Sequence, residues 1–194
     1  GALVVSLKFF ALALIYQFLA WTYSAPPFRF KRFPIIATFI SAMASLVVLF
    51  MGFTLFSGDQ NIHGLSWRII LLLMISLTLS LPVKDFKDME GDKKYGVRTI
   101  PVIFGEEKGR LIVAAGVYLS FMLSVFLLNE FHLFWWAILF GGISFMMIAG
   151  SQKAKSTAKN GNGFIFWIKP RQLFWWVLGS VGLYVLVLAK IVFL

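Results

Sequence analysis

Six stretches of this chain run for about 20 residues each with almost no charged side chain, which is the helix length needed to cross a hydrocarbon core. That feature constrains the fold more than any other. The segments are approximately Ala2–Thr22, Pro34–Phe56, Leu65–Leu81, Arg110–Leu128, Leu133–Gly150 and Gln172–Leu194. Trp21, Trp67, Trp135, Trp136, Trp167, Trp175 and Trp176 all fall near predicted ends, where interfacial aromatic belts sit. The third segment is short, and Pro82 ends or kinks it. The chain therefore reads as all-α, a polytopic transmembrane bundle of about six helices. It forms one membrane domain over 1–194, with no internal repeat and no separate soluble domain.

Composition narrows the chemistry. At 60% hydrophobic, 13% charged and a mean hydropathy of +0.86, the chain is too apolar for an ordinary soluble domain. It contains no cysteine, which excludes disulfides and thiolate metal sites. Its two histidines, His63 and His132, lie in separate short loops and give little support to a histidine metal site or triad. A net charge of +10 suggests nucleic acid only until the charges are located.

Fifteen of the eighteen basic residues fall in three alternate loops. Arg29, Lys31 and Arg32 occupy the first. Lys84, Lys87, Lys93, Lys94, Arg98, Lys108 and Arg110 occupy the second. Lys153, Lys155, Lys159, Lys169 and Arg171 lie in the third, which includes the polar loop Ser151–Gly163. The positive-inside rule makes that side cytoplasmic, in the inner or plasma membrane if the source is prokaryotic, and leaves no call for nucleic acid. Gly1 then lies on the outer side. The chain has no charged start or cleavage pattern of a signal peptide, and it reads as a segment of something longer.

Lys84-Asp85-Phe86-Lys87-Asp88-Met89-Glu90-Gly91-Asp92 holds four of the eight acidic residues, directly after an apolar run. Ionisable groups at a membrane mark function by default. On a helix Asp85, Asp88 and Asp92 fall within about 60° of one another, with Glu90 pointing elsewhere. Three carboxylates on one face repel unless a cation lies between them, and hard ions such as Mg²⁺ take oxygen ligands. Topology puts the basic Phe28-Arg29-Phe30-Lys31-Arg32 loop on the same membrane face. Carboxylates holding Mg²⁺, opposed by Arg and Lys, suit a diphosphate. If that diphosphate leaves an allylic chain, the metal and cations stabilise charge as the C–O bond breaks, and the apolar tail lies among the helices. The partners implied are a prenyl diphosphate and the lipid bilayer.

The run Tyr23-Ser24-Ala25-Pro26-Pro27-Phe28-Arg29-Phe30-Lys31-Arg32, the acidic stretch, and Gly96-Val97-Arg98-Thr99-Ile100-Pro101-Val102 together resemble the UbiA-type membrane prenyltransferases, most closely the homogentisate prenyltransferase and chlorophyll synthase branch. The resemblance implies a nine-helix fold with two Asp-rich motifs, of which the acidic stretch is similar to the second. Asp85, Asp88 and Asp92 then correspond to its Mg²⁺-binding carboxylates. Lys31, with Arg29, Arg98, Tyr23 and Lys84, corresponds to the diphosphate contacts. The family's first motif is absent here, because Asp59 is the only acid upstream of Asp85. The chain thus corresponds to helices four to nine and is expected to be inactive alone. The implied reaction is Mg²⁺-dependent transfer of a prenyl group to an aromatic acceptor, with chlorophyllide, haem or glycerol-phosphate lipid as alternatives. No catalytic base is assignable.

Plainer readings compete with this one. One is a solvated, charged helix start that Asp and Glu favour. An EF-hand is excluded because Phe86 stands where a carboxylate is required. The lysines also serve as topology signals, Tyr23 as an interfacial anchor, and Phe121, Phe126, Phe131 and Phe134 as packing or lipid-facing surface. A transporter or a non-catalytic lipid-diphosphate-binding protein is the rival class. A transporter, however, places its ionisable groups near mid-membrane rather than at one end. The Asp-Gly-x-x-Ala-Arg signature of the CDP-alcohol phosphotransferases is absent.

Overall fold

A computed structural model describes residues 2–56, 65–150 and 170–193. Asp59, His63, Lys153, Lys155, Lys159, Trp167, Lys169 and the expected loop Ser151–Gly163 lie outside the described residues, as does the side chain of Arg171. Among the described residues the regular structure is entirely helical, without strands. Helix α1 spans Ala2–Val5, α2 Leu7–Ser24, α3 Pro34–Phe56, α4 Trp67–Ser80, α5 Asp85–Lys94, α6 Ile100–Leu128, α7 Phe134–Gly150 and α8 Pro170–Phe193. Among the described residues four helical segments are long and apolar enough to cross a membrane: Pro34–Phe56, Trp67–Lys94, Ile100–Leu128 and Phe131–Gly150.

The breaks between elements have local causes. The expected first span divides at Ser6, an extended residue whose hydroxyl accepts from the Phe9 N–H at 3.0 Å and so starts α2 afresh. Helix α2 stops at Ser24, because Ala25 precedes a proline and takes the extended conformation that proline imposes. Pro34 opens α3 at a position where a missing N–H costs nothing. Pro82 ends α4 as expected, and the chain tightens into a 3₁₀ turn over Leu81–Lys84 that runs straight into α5. The fourth apolar segment begins earlier than expected. Helical structure starts at Ile100, with Pro101 in its first turn, and is interrupted at Gly105, whose φ of 79° is non-helical.

By compactness the chain forms two units, Gly1–Thr78 and Leu79–Leu194. In the first, α2 packs on α3 with Leu12, Thr22, Thr38, Ile40, Ala42, Val47 and Thr54 buried. The buried hydroxyls bond within their own helices: Thr22 donates to the Leu19 carbonyl at 2.9 Å and Thr54 to that of Met51 at 2.9 Å. This satisfies polar atoms where lipid offers no partner.

In the second unit α6, α7 and α8 enclose one apolar core. Its members include Val113, Val117, Phe121 and Val125 of α6, Ala137 and Ile148 of α7, and Leu173, Val177 and Tyr184 of α8. Two polar contacts cross it. Ser124 and Tyr184 hydroxyls lie 2.5 Å apart, and those of Ser144 and Ser180 2.7 Å apart. Val83 and Phe86 belong to the same core, so the 3₁₀ turn and the start of α5 are anchored in the bundle. Phe121 packs against Tyr184 at 4.9 Å between ring centroids, whereas Phe126, Phe131 and Phe134 are exposed.

Candidate functional site

Seven of the ten residues of α5 are charged: Asp85, Lys87, Asp88, Glu90, Asp92, Lys93 and Lys94. A segment of that composition lies beyond the apolar part of the preceding span. Lys84 and Asp85 both have right-handed helical dihedrals, and the Asp85 N–H bonds to the Pro82 carbonyl. The helix is therefore continuous with the turn before it and offers no free N-terminus for acids to favour. Asp92 lies in the last two turns, where a carboxylate opposes the helix dipole. Helix-end electrostatics does not account for this set.

Phe86 fixes the orientation of α5. It is buried, and the Arg110 guanidinium lies 4.9 Å from its ring centroid. Arg110 itself is only 2% exposed, and its Nη2 lies 2.8 Å from the Glu106 carboxylate one helical turn earlier. Counted in the sequence as a topology charge, Arg110 is in fact buried and ties the long α6 helix to the acidic one. The i,i+4 spacing of Glu106 and Arg110 was the available signal.

The end of α5 turns on Gly96, whose φ of 67° is readily open only to glycine. There the Val97 N–H reaches back to the Asp92 carbonyl at 2.8 Å and the Gly96 N–H to that of Lys93 at 3.4 Å, a Schellman termination. This reversal leads the chain through exposed Arg98 to buried Thr99, beside Asp92. The segment then folds onto α6 at Gly109, where a Cβ would stand 3.0 Å from the Pro101 Cα.

Burial dominates the electrostatics. It pushes the Asp85 carboxyl up to about 7, with Lys84 opposing and the Asp92 and Asp88 charges adding to the rise. Asp92 is also raised, first by burial and then by Asp88, while the Thr99 hydroxyl and Lys84 pull it down. The three expected carboxylates thus feel one another, and Lys84 acts on two of them. Among the described residues no group of three His, Cys, Asp or Glu side chains is close enough to hold an ion alone. Mg²⁺ does not need such a cage, because it is usually held by one or two carboxylates, waters and substrate phosphates. Hard oxygen donors kept close against their own repulsion, with a buried unpartnered hydroxyl beside them, fit such an ion.

Tyr23, Arg29 and Lys31 belong to the first unit. Tyr23 is half-buried in the last turn of α2. Arg29 starts a 3₁₀ turn over Phe30–Arg32 with φ 42° and ψ 49°, a left-handed conformation uncommon for a side chain of this size. Its sequence neighbours Phe28 and Phe30 stack at 5.5 Å between ring centroids, and Phe28 packs edge-on against Trp21 at 5.7 Å. The Arg29 Nε is buried without a hydrogen-bond partner. A left-handed backbone and an unsatisfied cationic donor thus coincide in one residue.

Membrane-length apolar helices, with an irregular turn and a carboxylate-bearing helix following one of them, define the all-helical class of polytopic membrane proteins. Comparison with known proteins gives the family. The UbiA prenyltransferase family matches residues 1–178, and the chain belongs to that family. Similar curated proteins include a somaliensene A/B synthase of Streptomyces somaliensis, 33% identical over 42% of this chain and 29% of the relative. A homogentisate phytyltransferase of Synechocystis is 28% identical over 50% of this chain and 34% of the relative. A chlorophyll synthase of Avena sativa is 29% identical over 68% of this chain and 35% of the relative. The chain thus spans about a third of the length of these relatives. No solved structure matches.

Proposed function

We propose that this chain carries the metal and diphosphate machinery of a Mg²⁺-dependent membrane prenyltransferase acting on an aromatic, quinone-precursor-like acceptor. One observation carries the reading: α5 holds three carboxylates together at the end of an apolar span, where burial and the Asp88 charge raise the proton affinity of Asp85 and Asp92. Asp85, Asp88 and Asp92 would hold the ion, which when bound would neutralise diphosphate oxygens. Lys31 and Arg29, with Tyr23, Lys84 and Arg98, would bind the remaining oxygens, in keeping with the sequence resemblance. Cationic donors there stabilise the charge that gathers on the diphosphate as the allylic C–O bond breaks. The carbocation is captured by an electron-rich carbon of the acceptor, which then loses a proton. Apolar helices exclude water that would otherwise quench the cation. The charge pattern of the loops supports a cytoplasmic site.

Asp88→Asn in the full-length protein, reconstituted with Mg²⁺ and an allylic diphosphate, should abolish transfer. Near-native turnover would remove the metal role. A chlorophyllide acceptor is the second reading, favoured by the likeness to a chlorophyll synthase over 68% of this chain. Product identification with each acceptor class separates the two.

A further inference from the structure

Thr99 directly precedes α6, the position from which a threonine hydroxyl ordinarily accepts a backbone N–H of the first turn. It makes no such bond, and Pro101 has removed one of the two N–H groups it would reach. The side chain is only 8% exposed, and its Oγ1 has no hydrogen-bond partner of good geometry among the described residues. Neither capping nor solvation therefore accounts for the hydroxyl. What stands beside it is the Asp92 carboxylate, brought there by the Gly96 reversal. A buried hydroxyl left unmatched in the resting protein is usually matched in another state.

We propose that Thr99 is a positioning residue for the metal-binding carboxylates. Its hydroxyl donates to one oxygen of ionised Asp92 and leaves the other for the cation. This rests on the metal reading above. The role requires the hydroxyl and little else, so Thr99→Ser keeps it, while Thr99→Val keeps the shape and removes the donor.

The test is Mn²⁺ binding to the full-length, detergent-purified protein, read from the EPR signal of the free ion, together with thermal unfolding in EDTA. Thr99→Val should weaken Mn²⁺ binding about tenfold, the equivalent of one charge-assisted hydrogen bond. Thr99→Ser should stay within about twofold of the parent. In EDTA, Thr99→Val should melt close to the parent, because without the cation the hydroxyl lies beside Asp92 without a well-formed bond. A residue serving only packing would lower stability in EDTA and Mn²⁺ affinity together. Parental Mn²⁺ affinity in Thr99→Val, with Asp88→Asn having lost binding, overturns the role of Thr99 alone. Parental affinity in Asp88→Asn overturns the metal reading and this proposal with it.

Discussion

A carboxyl group that titrates near neutrality can exchange a proton for a metal ion. Asp85 is raised to about 7, and in the proposed metal site it would be such a group. Its proton affinity is higher folded than unfolded, so between about pH 4 and pH 7 the folded state binds more protons and stability falls as pH rises. The metal-free protein should therefore be more resistant to unfolding at pH 5 than at pH 8. Mg²⁺ should narrow or reverse the difference by favouring the ionised form. Thermal unfolding in EDTA and in Mg²⁺ across that range checks both signs. Arg110 calls for a separate prediction. Arg110→Met leaves Glu106 without its partner and Phe86 without its cation. Because Glu106 is partly exposed and can rehydrate, the expected loss is about 2 kcal/mol rather than the larger cost of a fully buried pair, read by unfolding in detergent.

At the scale of elements, the first turn of α6 depends on close backbone approach to the helix beyond its break at Gly105. Gly109→Ala would place a methyl group 3.0 Å from the Pro101 Cα, where no flexible side chain can yield. The expected cost is about 1–3 kcal/mol, with weaker diphosphate binding because Arg98 and Thr99 shift together. Stability and the KM for prenyl diphosphate should change in the same variant. Part of this region was legible beforehand: Pro82 as the end of a helix and the three aspartates at helical spacing on one face. Two things were not. Arg110 reads as one more loop charge because its burial depends on where α5 lies, which no local pattern encodes. The single span expected over Ala2–Thr22 missed Ser6, since one serine in an apolar run carries no signal until its hydroxyl is seen accepting a backbone N–H. Lipid removes the polar–apolar contrast that marks helix faces in soluble proteins. The sequence therefore revealed the spans better than their partners.

For the whole molecule, charge asymmetry makes an orientation prediction. A cysteine at exposed Lys93 should react with an impermeant thiol reagent only from the cytoplasmic side, and one at exposed His132 only from the opposite side. The chain itself contributes no competing thiol. Labelling of both positions from one side would overturn the topology. Family membership and the all-helical, membrane-spanning architecture agree with what the apolar runs and the three motifs implied.

The paired hydroxyls along α8 bear on the acidic helix at a distance. Ser124–Tyr184 and Ser144–Ser180 grip α8 at two heights from two different neighbours, so a slip of one turn would break both at once. That fixes the helix in register, and with it Leu173 and Val177, which share a core with Val83 and Phe86. The floor beneath Asp85 is thus locked from the middle of α8. Tyr184→Phe should loosen it by about 1 kcal/mol while touching no charged group. A fall in Mn²⁺ affinity in that variant, measured beside its unfolding, would show the bundle acting as a ruler for the ionic site.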